Sequence, residues 1–199
     1  GYAVNGVINT NKIMANNGAR PGDRLILTKK LGTGIIATAL KRLKASKAAI
    51  SESINSMLKL NKKASELAIK FGAHAITDIT GFGLLGHGRE LALASEVSIQ
   101  FDHNKIEFLP QAQKYSREKH LAGGLKNNKE FLKSYVEISP EVPEDVENLL
   151  YDPQTSGGLL ISVEEHEAQN LFSSLTENEI NSQIIGRVIP KISPLLSVI

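Results

Sequence analysis

The segment Ile76-Thr-Asp-Ile-Thr-Gly-Phe-Gly-Leu-Leu-Gly-His87 sets one carboxylate, two threonines and three glycines between an apolar run and a helix-like stretch. Ala73 to Ile76 reads as a short buried strand, and Leu84 to Leu93 resumes a helical pattern. The glycines between them mark backbone that turns tightly or is approached closely. A strand, a Gly-rich turn and a helix start offer unpaired N–H groups to an anion, and a carboxylate at a strand end offers hard oxygen to a cation. Asp78 is therefore the candidate metal ligand. Thr77, Thr80, Gly81 and Gly83 are candidate phosphate neighbours. A helix cap or turn aspartate, and hydroxyls bonded to their own backbone, are the structural readings of the same residues.

Around this segment strands and helices alternate, which predicts an α+β fold: a mixed β-sheet with helices packed on it. Strands are expected at Tyr2 to Ile8, Arg24 to Thr28, Ala73 to Ile76, Val97 to Phe101, Leu159 to Val163 and Ile184 to Val188. Helices are expected at Thr33 to Lys44, Ser51 to Phe71, Leu84 to Ala94, Leu109 to Lys119, Pro143 to Leu150 and Glu164 to Leu175. Into and along the second helix Ile50, Ile54, Met57, Leu58, Ala64, Leu67 and Ala68 recur at helical spacing with lysines between them, so it should lie against a sheet. Pro21-Gly22-Asp23 reads as a turn, and Leu121 to Asn128, polar and Gly-rich, as a mobile loop.

Two further motifs lie far apart in sequence. Leu31-Gly-Thr-Gly34 follows a strand and opens a helix, either as an anion site or, the reading preferred here, as a turn capped by Thr33. Asp152-Pro-Gln-Thr-Ser-Gly-Gly158 reads as a rigid turn that shapes the domain beside a cleft. His87 beside an apolar helix face reads as a hydrogen-bonded structural residue and is left out of the site. The other histidines, His74, His103, His120 and His166, show no metal-ligand spacing.

Composition excludes several classes. A net charge of +2 with lysines spread along the chain implies neither nucleic acid nor an acidic membrane surface as a partner. No apolar run approaches the roughly 20 residues of a spanning helix. The absence of cysteine rules out disulfides and thiolate metal sites and fits a cytoplasmic setting.

The Ile76 to His87 run, together with Tyr151 to Leu160, resembles the C-terminal half of selenophosphate synthetase (selenide, water dikinase). Gly18-Ala-Arg-Pro-Gly-Asp23, Leu25-Ile-Leu-Thr-Lys29, Leu31-Gly-Thr-Gly34 and Met57 through Ala64 match in the family order. The Asp-Pro-Gln-Thr-Ser-Gly-Gly element is shared with the wider aminoimidazole ribonucleotide synthetase superfamily, so that superfamily's C-terminal domain is the implied fold. The resemblance implies an ATP-dependent phosphotransferase making selenophosphate, AMP and phosphate from ATP, selenide and water, with Mg2+ held in part by Asp78. It implies no catalytic residue on this chain, since the reactive Cys or selenocysteine and most ATP ligands belong to an N-terminal half. Residues 1–17 are then the last strand and linker of that half, and 18–199 the C-terminal domain. The family pairs through the missing half, so a homodimer is expected of the full-length protein, and this chain alone is expected to be inactive. Gly123-Gly124-Leu-Lys-Asn-Asn128 departs from the family pattern at Leu125, which replaces a threonine; Asn128 keeps the matching amide and is a weaker phosphate candidate. The alternatives are another enzyme of the superfamily, in purine or thiamine synthesis or hydrogenase maturation, and a stand-alone nucleotide-binding or regulatory module.

Overall fold

The computed structural model describes residues 3, 5–7 and 13–199. Among them, seven strands form one sheet in the order β2-β5-β1-β6-β3-β7-β4. The strands are β1 (Arg24–Leu27), β2 (Ala75–Asp78), β3 (Ser98–Phe101), β4 (Val136–Ile138), β5 (Leu159–Val163), β6 (Gln183–Ile189) and β7 (Leu196–Val198). Those from β2 to β3 in this order pair antiparallel, whereas β7 pairs parallel with both β3 and β4. The sheet is mixed, as expected of an α+β fold.

Alternation along β1 divides the core in two, because successive side chains leave a strand on opposite faces. Leu25 and Leu27 enter the larger cluster with Ile35, Leu84 and Leu149, drawn from helices α1 (Thr33–Lys41), α4 (Gly83–Ala94) and α7 (Glu144–Tyr151). Ile26 enters the smaller one with Ala64, Leu67 and Leu171, from α3 (Lys62–Lys70) and α8 (Glu165–Glu177). Helices α2 (Lys47–Leu58), α5 (Ala112–Arg117) and α6 (Gly123–Leu132) complete the set, with a short 3-10 turn at His103–Lys105. The Pro21-Gly22-Asp23 turn is present, with Gly22 at φ +99 and Asp23 N donating to Arg20 O over 3.0 Å. Asp23 itself is buried; its carboxylate accepts from Ser162 Oγ at 2.6 Å and from Arg20 N at 3.0 Å and lies 2.9 Å from His74 Nδ1, tying the entry of β1 to β5.

Three expectations are corrected. The single helix Ser51 to Phe71 is two, α2 and α3, broken at Lys59, whose backbone is extended at φ −67 and ψ 122. Tertiary bonds hold that break: Lys59 O accepts from Lys29 Nζ at 2.7 Å, and Asn61 Nδ2 donates to Gly157 O at 2.8 Å. Helix α2 also starts earlier than expected, capped by Ser46 Oγ accepting from Ala49 N. Leu121 to Asn128 is no mobile loop; it holds most of α6, whose Leu125, Asn128 and Leu132 are buried along one face at helical spacing. The glycine pair opens this helix, and a side chain at Gly124 would stand 2.9 Å from the ring of Pro153. Strands β4 and β7, three residues each, were not expected. Of the strand expected at Tyr2 to Ile8, residues 2, 4 and 8 lie outside the described residues, and 3 and 5–7 are in no strand.

Candidate functional site

Strand β2 is an edge of the sheet, and Asp78 is its last residue. Alternation that buries Ala75 leaves Asp78 exposed where the strand runs out, before Ile79 turns back into the core. Ile79 is held by its N–H, which donates to Gly158 O over 2.8 Å. The following turn is closed from both sides: Thr80 O accepts from Gly83 N at 3.1 Å and from Gln154 N at 2.9 Å. Gly83 is at φ +69, a left-handed conformation, and an added Cβ would stand 2.9 Å from the Tyr151 carbonyl group. Thr77, Asp78, Thr80, Gly81 and Gly83 are thus brought together on one strand end and turn. Thr77, Thr80 and Gly81 keep solvent exposure, whereas Gly83 is buried against the end of α7.

The remaining predicted member reaches this turn from inside. Asn128 is buried, and its Nδ2 donates to Gly81 O and to Tyr151 O, each at 3.0 Å. Both amide protons hold the glycine turn to α7. His87 is hydrogen-bonded on both ring nitrogens: its Nε2 lies 3.0 Å from Thr80 Oγ1 and its Nδ1 3.0 Å from the Glu90 carboxylate. Thr80, His87 and Glu90 thus form one hydrogen-bonded chain through the imidazole ring.

The N-terminus of α1 is filled by the protein itself. Asp152 Oδ2 accepts from Gly34 N at 3.0 Å and Ile35 N at 3.1 Å, while Gln154 Oε1 accepts from Gly32 N, Thr33 N and the Thr33 hydroxyl. The capping groups thus come from a turn more than a hundred residues away, and Thr33, the first residue of the helix, accepts from Thr155 N at 2.9 Å. This corrects the expectation of Thr33 as the cap and leaves no anion site there. Sequence reasoning missed the part played by Asp152 and Gln154; the signal was two polar side chains inside an otherwise rigid turn.

Asp152 is fully buried, and its Oδ1 has no hydrogen-bond partner. Burial pushes its carboxyl up to about 7, against the N–H donors of Ile35, Gln154 and Gly34, which pull it down. The folded chain therefore keeps a proton that the unfolded chain gives up near the ordinary value of 3.8. The stabilisation from that proton is complete at low pH and is withdrawn as pH rises through about 7. Asp152→Asn is expected to remove this term, flattening the fall in stability between about pH 4 and 7 by at most about 1.4 kcal/mol per pH unit. Urea melts of both proteins across that range check it; parallel slopes would mean that Asp152 stays ionised under its three donors.

Among the described residues no group of three His, Asp or Glu side chains is placed to hold a metal ion. Asp78 fits a cation that needs few protein ligands: it is exposed, at a chain turn, and presents hard oxygen. Magnesium is such an ion, since it keeps several waters and takes one or two carboxylates beside substrate phosphates. No helix of the described residues is long and apolar enough to cross a membrane.

Residues 20–194 match the family described as AIR synthase related protein, C-terminal domain. The chain is 40% identical over 192 residues to "Selenide, water dikinase 2" of Peptoclostridium acidaminophilum, covering 96% of this chain and 55% of that protein. It is 43% identical over 189 residues to the selenide, water dikinase of Caldanaerobacter subterraneus subsp. tengcongensis, covering 94% and 55%. The chain thus spans about half the length of the curated relatives it matches. Among solved structures, the thiamine-monophosphate kinase of Stenotrophomonas maltophilia K279a superposes with a TM-score of 0.67 at 14% identity, covering 96% of this chain and 54% of that one. The hydrogenase maturation protein HypE of E. coli gives 0.66 at 17%, covering 97% and 50%. These two share the fold alone. From the match over nearly its whole length, the chain belongs to the family of AIR synthase related protein C-terminal domains.

Proposed function

We propose that this chain is the C-terminal half of a selenophosphate synthetase, working with an N-terminal half to make selenophosphate, AMP and phosphate from ATP, selenide and water. The observation that carries the reading is the exposed carboxylate of Asp78, fixed at a sheet edge by a turn buttressed from α6, α7 and the Asp152 to Gly158 segment. Likeness near 40% to proteins named selenide, water dikinase favours this substrate over those of the structural neighbours, whose identity to this chain is below 20%. In this reading Asp78 contributes one ligand to Mg2+, which when bound neutralises phosphate charge. Thr77 and Gly81 lie on the exposed side of the same turn, next to the phosphates. Gly83, Asn128 and the Thr80–His87–Glu90 chain act behind it, keeping the turn in place. Catalysis by such an arrangement rests on positioning and charge compensation, so rigidity of the turn is what this half supplies. Residues 1–17 are then the tail of the preceding domain and 18–199 the body of this one, in a cytoplasmic homodimer paired through the other half.

Joining the chain to the N-terminal half of a relative and following ATP with selenide by phosphorus NMR tests this. A selenophosphate signal with equimolar AMP supports the reading; ATP turned over without selenide dependence sinks it. Within the same protein Gly81→Ala separates contact from support. A Cβ there meets nothing within 4 Å, so the fold should lose less than about 1 kcal/mol. Turnover should nevertheless fall, roughly tenfold, if phosphate approaches the Gly81 backbone.

A further inference from the structure

Lys29, two residues past the end of β1, opens on a cavity of about 280 Å3 between the end of α2 and the start of α3. The residue is 7% exposed, and its ammonium donates to Lys59 O at 2.7 Å and Ser156 O at 2.8 Å. Those carbonyls take two of its three protons. Lys30 and Lys59 line the same cavity, and Glu52 is the one acidic residue that does. Lys30 is neutralised by Glu107 at 2.8 Å, but among the described residues neither Lys29 nor Lys59 has a carboxylate within ion-pair distance. Burial, and after it the charge of Lys59, lowers the pKa of Lys29. The exposed Lys59 ammonium donates to Glu179 O at 3.3 Å, so the cavity wall carries three lysines against the single carboxylate of Glu52, a net positive lining that favours an anion.

A second observation points the same way. Asn61, the residue that opens α3, makes no side-chain cap: its Nδ2 donates to Gly157 O, and its Oδ1 accepts from no N–H of the helix. Asn61 and Ala64 both line the cavity, so the first turn of α3 borders it with uncapped N–H groups. Lysine side chains and a helix start bordering one space suit a tetrahedral dianion, which accepts from several directions at once.

We propose that this cavity binds a phosphate group, through Lys29, Lys59 and the first turn of α3. The site is distinct from Asp78. Strands β1 and β2 both run antiparallel to β5, so Lys29 and Asp78 lie at the same end of the sheet with β5 between them. The inference goes beyond the selenophosphate reading and does not depend on it. The volume exceeds that of orthophosphate alone, so the phosphate belongs either to the free ion or to the end of a nucleoside monophosphate.

The test is titration of orthophosphate, and separately of AMP, into the 15N-labelled 199-residue chain at constant ionic strength, with chloride as the control ion. Saturable shifts of the Lys62, Lys63 and Ala64 amides are expected with phosphate and absent with chloride. Lys59→Gln, on an exposed side chain, should weaken binding roughly fivefold or more, while Asp78→Asn leaves it unchanged. Lys29→Met is less decisive, since it strands two carbonyls, so the argument rests on Lys59. Tighter binding of orthophosphate assigns the site to the free anion; tighter binding of AMP, with shifts extending to Leu109 and Asn181, assigns it to a nucleotide. Shifts that fail to saturate, that chloride reproduces, or that Lys59→Gln leaves intact would overturn the proposal. Because Asp78→Asn is silent here, failure of this site and failure of the metal assignment are told apart.

Discussion

Asp78→Asn in a protein carrying both halves is expected to lower ATP turnover by about 100-fold or more, with little change in stability. The expectation follows from where the residue sits. Asp78 is exposed at the last position of an edge strand, and surface substitutions of this kind shift stability by about 0.5 kcal/mol or less. Its ladder pairing with Leu159 uses backbone only and survives the change. Asparagine keeps the shape but loses the charge that a magnesium ion needs from its few protein ligands. Turnover assays over a range of magnesium concentration, with a thermal melt of the same samples, check it. Partial recovery at high magnesium would support a lost ligand, whereas equal loss of activity and melting temperature would make Asp78 a structural residue.

Gly157→Ala should have the opposite signature, a large loss of stability with activity lost as a consequence. A Cβ at Gly157 would overlap the carbonyl oxygen of Ile79 and stand 3.1 Å from the Gln154 side chain. The first of these is backbone, so no rotamer change relieves it. Ile79 lies between Asp78 and Thr80, and the neighbouring Gly158 O accepts its N–H at 2.8 Å. Relief therefore requires moving the strand end, the turn or both, at a cost of about 3 kcal/mol or more. The second carbonyl at risk is that of Gly157, which holds Asn61 and with it the break between α2 and α3. Chemical denaturation measures the loss; a midpoint within error of the parent would show that the two segments slide apart freely.

These contrasts show what was legible in the sequence. Strands β1, β5 and β6 were visible because runs such as Leu25-Ile-Leu27 and Leu159 to Val163 are apolar and bounded by turn residues. The α+β class followed from their alternation with helical patterns. The break at Lys59 was hidden, since nothing in Met57 to Asn61 forbids a helix; Lys29 and Gly157 impose it from distant positions. Helix α6 was hidden by Gly123 and Gly124, which serve as its start. Strands β4 and β7 are too short to show a period, and they exist through pairing with each other and β3.

The site divides along the same line. Thr77, Asp78, Thr80, Gly81 and Gly83 fall within one seven-residue stretch, so one motif exposed them together. The inward bonds of Asn128, the capping by Asp152 and Gln154, and the cavity at Lys29 depend on contacts across the chain that spacing does not encode. The motif from Asp152 to Gly158 illustrates the difference: its rigidity was readable from Pro153 and the two glycines, its use as an N-terminal cap for α1 was not.

The central claim, that this chain supplies Asp78 to a metal-nucleotide site shared with another half, is tested most directly by calorimetric titration of magnesium-ATP. The titration is made into this chain alone, then into its mixture with a separately prepared N-terminal half, then into that mixture with Asp78→Asn. Binding that requires the mixture and weakens in the variant is the predicted result. Tight magnesium-ATP binding to the chain alone, unchanged by the substitution, would contradict it and make the chain an autonomous nucleotide-binding module.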